Sequence, residues 1–201
     1  MIRLGDMLVL GNYPPKLLKA LAVIADTIHP AFAAQGSNSA DKCILVSHAA
    51  RDFLCKLGFD ARVRSVSCIM RSFSGDTELH SLAIGAPAAA YEAQPAVESG
   101  RWDGHLVVTC QAERLLLDCT LSPSIRPQWN DALAPMMAVP LEKPLRQRPV
   151  FGLSRIAGAE FTDDPDFTFW IMWLDRPDNK GWRESGDTEP WRRDMVARAA
   201  R

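Results

Sequence analysis

The spacing of the apolar residues changes at Gly58, and that change narrows the folds open to this chain. Before it, KLLKALAVIADTI follows Tyr13-Pro14-Pro15 with apolar residues at helical spacing, and proline is tolerated in a first turn. This helix is expected to end near His29-Pro30, with His29 as a capping residue. AAQGSNSAD then reads as a loop of breakers and cap residues. ADKCILVSHAARDFLCKL predicts a second helix from about Ala40 to Leu57, with Ser39 as N-cap, Asp41 in the first turn and Gly58 as the stop. After Gly58, ARVRSVSCIM alternates valine with polar residues, the period of a strand. Helical patterns first and strand patterns after predict an α+β fold, with N-terminal helices packed on an antiparallel β-sheet.

The chain's 201 residues suffice for one domain with a sizeable core. The expectation is a single domain over 1–201, with its core at about 39–122 and a Pro- and Trp-rich extension at about 123–201. A formal net charge of −1 offers no field to draw nucleic acid or an anionic membrane, so neither is expected as a partner. The arginines near the C-terminus alternate with Asp and Glu, which makes a solvated face. No secretory signal is read in MIRLGDMLVLGNYPP, where Asp6 and Gly11 interrupt the apolar run. Leu17 to Ile28 contains Lys19 and Asp26 and is too short to span a bilayer. Five cysteines without a CxxC pair fit neither a disulfide framework nor a zinc finger. No metal or cofactor is therefore expected, and the expected location is a reducing cytoplasm.

Residues 74–104 give no clear element beyond a strand-like LHSLAIG and an Ala/Pro-rich loop. Pro123, Pro127, Pro135, Pro140, Pro144 and Pro149 predict irregular structure. FTFWIMWL reads as a strand or short helix, and GWRESGDTEPWRRDMVARAAR as a loop with a small amphipathic helix.

Between these lies GHLVVTCQAERLLLDCTLSP, residues 104–123, two apolar runs around a polar turn. It carries one histidine, His105, and one aspartate, Asp118. A turn centred between Gln111 and Ala112 sets His105 directly opposite Asp118. A loop at Glu113-Arg114 sets Asp118 opposite Thr109, with His105 four residues away, roughly 13 Å. Both registers place Leu106, Val108, Cys110, Leu115, Leu117, Cys119 and Leu121 on one face, so the pattern does not choose between them. If the pair forms, it is either structural or the base half of a nucleophilic site. A carboxylate that takes one imidazole proton fixes the tautomer and leaves the other nitrogen basic.

Such a base needs a nucleophile, and Cys43 has the best position for one. It falls in the first turn of the expected second helix, where open N–H groups and the helix dipole favour a thiolate. Cys55, Cys68, Cys110 and Cys119 read as small buried hydrophobes. His48, five residues along the helix, is rotated roughly 140° from Cys43. The same geometry rules out a metal site of Cys43, His48 and Cys55. His80 remains a rival base.

With these residues in hand, the chain resembles the transglutaminase-like branch of the papain-type cysteine enzymes. The matching stretches are DKCILVSHAARDFLCKLGFDARVRSV, GHLVV and LLLDCTLSP, about residues 39–122. The resemblance implies a papain/transglutaminase-like fold, Cys43 as nucleophile, His105 as base and Asp118 as the orienting acid. Arylamine N-acetyltransferases, a related branch, share the Cys, His, Asp order. Their Arg-Gly-Gly before the cysteine is replaced here by Ser39-Ala40-Asp41-Lys42, and the tryptophan common two residues after the histidine is replaced by Val107.

The implied chemistry is acyl transfer through a thioester, on a peptide, a protein or a small amide or thioester. Water as second acceptor makes a hydrolase, and an amine makes an acyltransferase. Backbone N–H groups at the helix start would meet the oxyanion, with Gln35 and Asn38 as side-chain candidates. The alternative is a non-catalytic binding or accessory domain. Its protein partner would dock on the C-terminal third, where Trp170, Trp173, Trp182 and Trp191 lie.

Overall fold

The computed structural model of this protein describes residues 1–28, 30–31, 42–85, 104–129, 132–142, 154–164, 166–176, 182 and 190–201. Pro15 opens helix α1 (Pro15–Val23), which continues as a wider π turn over Ile24–Ile28. Leu17, Ala20, Leu21, Ile24, Ala25 and Ile28 recur at helical spacing and are all buried. Helix α2 (Lys42–Lys56) stops where Gly58 predicts. Gly58 takes a φ of 88°, its N–H bonds the Cys55 carbonyl at 2.9 Å, and the Phe59 N–H bonds that of Leu54 at 3.0 Å. These two bonds form a Schellman motif, which satisfies carbonyls that the helix leaves open. Helix α3 (Pro190–Ala199) closes the chain.

The strands are β1 (Ile2–Leu4), β2 (Met7–Val9), β3 (Ala61–Ser74), β4 (Thr77–Ile84), β5 (His105–Cys110), β6 (Leu115–Asp118), β7 (Met136–Pro140), β8 (Arg155–Asp164) and β9 (Phe167–Asp175). They form one sheet in the order β1-β2-β7-β6-β5-β3-β9-β8, with β4 paired to β3. The sheet curls into a half-barrel, and the helices pack on it.

The class is α+β, and the sheet is mixed rather than antiparallel. Met7, Leu8 and Val9 run parallel to Met136, Met137 and Ala138. These strands are joined through the helices and the 104–123 hairpin, so no tight turn forces them antiparallel. LHSLAIG lies mostly in β4, and FTFWIMWL lies in β9. The proline-rich stretch is not all irregular, because β7 starts just after Pro135 and ends on Pro140. Proline at the start or end of a strand spares the ladder.

Both faces of the central strands β5 and β6 are buried. Val108, Cys110, Leu115, Leu117 and Cys119 pack with Leu17, Leu21, Val46, Phe53 and Leu54 of the helices. On the other face Val66, Cys68, Val107, Leu116 and Leu121 pack with Trp129, Phe169, Ile171 and Trp173. Leu121 thus leaves the face on which the hairpin pattern puts it. Cys55 is exposed rather than buried, because it falls on the outer side of the last turn of α2. Among the described residues no helix is long and apolar enough to cross a membrane.

Candidate functional site

The hairpin register lies between the two that the sequence allows. Val108 pairs with Leu117, Thr109 with Leu116 and Cys110 with Leu115, around a turn of four residues, 111–114. Arg114 closes that turn with a φ of 52°, and its N–H bonds the Gln111 carbonyl at 3.2 Å. Continued outward, this register sets Asp118 across from Val107. His105 is therefore neither opposite Asp118 nor four residues off, but diagonal to it on one face. A diagonal neighbour is within reach of an aromatic side chain.

His105 reaches it. Its Nε2 lies 2.7 Å from Asp118 Oδ2, and the residues are 4% and 0% exposed. Trp173 Nε1 donates to the same oxygen at 2.8 Å, and the Thr120 backbone N–H donates to Oδ1 at 3.1 Å. Three donors converge on one buried carboxylate, the arrangement that a buried anion requires. Trp173 stands on β9, three places from β6 in the sheet order. A flat sheet would hold those strands about 14 Å apart. The curl of the sheet closes that gap.

His105 is held from behind by Gly85. Gly85 has a φ of 70°, and a Cβ there would strike the Val66 carbonyl oxygen and the backbone N and Cβ of His105. Ser67 Oγ donates to the Gly85 carbonyl. We expect Gly85→Ala to push the start of β5 outward and destabilise the protein by on the order of 3 kcal/mol, read as a lower urea midpoint. An unchanged midpoint would show that the start of β5 has room the packing does not suggest.

Helix α2 is docked along β5 in the same direction. Ser47 Oγ donates to the Leu106 carbonyl at 3.1 Å, and Cys55 Sγ bonds the carbonyl of Ala61, which pairs with Cys110. The first turn of α2 thus sits at the His105 end of β5. There Cys43, 5% exposed, packs with Ile44 and Leu106, and Val63 and Trp182 lie against them. Side chains alternate along a strand, so Leu106 faces the helix and His105 faces the Asp118 side. The structure joins His105 directly to Asp118. Cys43 shares a cluster with Leu106, the residue next to His105, on the helix-facing side of β5, whereas His105 faces the other side.

Three of the remaining cysteines are poor nucleophiles for physical reasons. Burial holds the Cys68 and Cys119 thiols well above the usual range, and the Asp118 charge raises both further. Burial first, then Glu113, Cys55 and Asp60, pushes Cys110 up to about 12. Cys55 lies at the far end of α2. His80 pairs with Ser72, six residues up β3 from the partner of His105 and roughly 20 Å along the strand. His48 is buried with Nδ1 3.0 Å from Arg51, its ring centroid 5.4 Å from that of Trp182. Gln35, Asn38, Ser39, Asp41 and His29 lie outside the described residues. Among the described residues no three His, Cys, Asp or Glu side chains gather as a metal site.

Of the four tryptophans read as a docking patch, Trp173 is in the core, Trp182 packs against the cluster of Cys43, Ile44 and Leu106, and Trp170 is 39% exposed beside Phe73. The backbone of Trp191 is in α3, and its side chain lies outside the described set. Reading the hairpin alone misses Trp173 and Gly85. A signal for Trp173 was present: a buried indole needs an acceptor, and Phe169, Ile171 and Trp173 alternate onto one face. No family model, curated protein or solved structure matches this chain.

Proposed function

We propose that this protein is a cysteine-dependent acyl-transfer enzyme of the transglutaminase-like, papain-type kind. Cys43 is the nucleophile, His105 the base and Asp118 the orienting acid. The observation that carries this reading is the buried hydrogen bond from His105 Nε2 to Asp118 Oδ2. A proton held on Nε2 leaves Nδ1 as the basic nitrogen.

The reaction requires the ring of His105, the first residue of β5, to meet Cys43 around the end of the strand. Nδ1 then takes the proton of the thiol, and the sulfur attacks the carbonyl carbon of an amide, ester or thioester. The C–O double bond opens to an oxyanion, which N–H groups at the start of α2 stabilise. As the carbonyl reforms, the leaving group departs with the proton from His105, and a thioester remains on Cys43. Water or an amine, deprotonated by His105, then attacks the thioester; the C–S bond breaks, the acyl product leaves, and the Cys43 sulfur takes the proton back from His105. Asp118 offsets the positive charge of the imidazolium in both halves. A peptide, a protein or a small amide or thioester serves as acyl donor.

Alkylation by iodoacetamide across pH in a Cys55→Ala background, which removes the exposed cysteine, followed by intact mass, tests this reading at Cys43. Cys43 is expected to react at pH 6 at least tenfold faster than a model thiol, and His105→Ala to remove that advantage. Incubation with p-nitrophenyl acetate is expected to leave one acetyl group, absent in Cys43→Ser. A rate that follows an ordinary thiol in both proteins would leave a non-catalytic binding domain as the better reading.

A further inference from the structure

The two bonds to one oxygen of Asp118 have an energetic consequence for the base. A carboxylate turns about its Cβ–Cγ bond in a broad two-fold well, so its own rotamer does not decide which oxygen faces a neighbour. Oδ1 is held by one backbone N–H at 3.1 Å. Oδ2 is held by two shorter bonds, from His105 at 2.7 Å and from Trp173 at 2.8 Å. Of these two donors, His105 is the one that must change its protonation during the reaction. Trp173 Nε1 keeps its proton throughout, because an indole is only a donor. Its ring is fixed by full burial beside Phe169 and Ile171 on β9, and β9 is fixed by pairing with β3.

We propose that Trp173 is the positioning residue of the His105–Asp118 pair. Its indole N–H aims Oδ2 at the imidazole and keeps the proton on Nε2, so that Nδ1 stays basic through the catalytic cycle. It acts through Asp118. Without its N–H, the carboxylate is held only by the Thr120 N–H and by the imidazole that it has to orient, and the imidazole would share its proton between two tautomers. The acyl-transfer role of this positioning rests on the function proposed above, whereas the hold on the pair does not.

The test uses the full-length protein with Trp173→Phe, and a second variant carrying β-(3-benzothienyl)alanine at position 173. The second keeps the indole shape and puts sulfur where the N–H was, so a loss of packing in the first cannot be mistaken for a loss of the bond. Proton and nitrogen NMR of the His105 ring is expected to show a slowly exchanging Nε2–H in the natural protein. In both variants that proton should exchange about tenfold faster or more, the change expected on losing a bond to a charged group. Hydrolysis of p-nitrophenyl acetate should lose roughly tenfold in kcat with little change in KM.

An Nε2–H that exchanges at the natural rate in the folded benzothienyl variant would overturn the proposal. If the ester is never turned over but the His105 resonance responds as expected, Trp173 holds the pair and the acyl-transfer reading falls. If the ester is turned over equally well by all three proteins, the acyl-transfer reading stands and the positioning role falls.

Discussion

Asp118→Asn is expected to lower ester turnover on the order of 10⁴-fold at neutral pH, by analogy with serine triads, while the chain still folds. The native carboxylate accepts from His105, Trp173 and the Thr120 N–H through its two oxygens. An asparagine has one oxygen and one NH₂ in those places. If its oxygen faces Thr120, the NH₂ meets His105 and Trp173. Histidine can adapt only by moving its proton to Nδ1, which removes the base, and the indole donor is left unpaired. If its oxygen faces His105 and Trp173, the NH₂ meets the Thr120 N–H, and the imidazolium loses its counter-charge. Either way one buried donor lacks an acceptor, which costs about 1–3 kcal/mol. Melting should therefore fall while remaining cooperative. Turnover within tenfold of the natural protein would remove Asp118 from the mechanism.

How far this site was legible depended on how local each signal was. Gly58 is a local signal, since a left-handed residue after a helical period stops the helix, and a Schellman motif stands there. The hairpin was legible as two apolar runs around a polar turn. Its register was not, because shifting the pairing by two residues buries the same face again. The four-residue turn closed by Arg114 settles it, and nothing in Gln111-Ala112-Glu113-Arg114 demands a left-handed arginine. β1 and β2 are three residues each and gain their stability from long-range pairing, so no period was long enough to read. β7 was hidden by Pro135, which precedes it, and by Pro140, its last residue, which stands at the end of the ladder opposite Leu115. Trp173 meets Asp118 only because the sheet curls, a property of the whole sheet rather than of either strand.

Raising the pH above about 9 is expected to cost this protein several kcal/mol of stability, through three buried thiols. Cys68, Cys110 and Cys119 all hold their protons more tightly in the folded protein than the ordinary value of 9.0, burial being the largest cause in each. Burial also raises Tyr13 above its ordinary 10.0. The unfolded chain therefore releases these protons at lower pH than the native one. Between the two titrations the native state binds more protons, so stability falls as pH rises. The contribution is whole below pH 9 and is lost as pH climbs; for Cys110 the loss runs to about pH 12. Each thiol within its window contributes a slope of about 1.4 kcal/mol per pH unit. Three together give about 4 kcal/mol per unit, against a total of about 5–15 kcal/mol for a typical domain. The urea midpoint, measured with a reductant present, should hold from pH 7 to 8.5 and fall steeply by pH 10.5. Lysines and Tyr13 also titrate there, so Cys119→Ala supplies the control: its stability should fall by about 1.4 kcal/mol less per pH unit than that of the natural protein. Equal slopes in the two proteins would mean that the Cys119 thiol ionises as readily in the fold as outside it, which its complete burial beside the Asp118 carboxylate argues against.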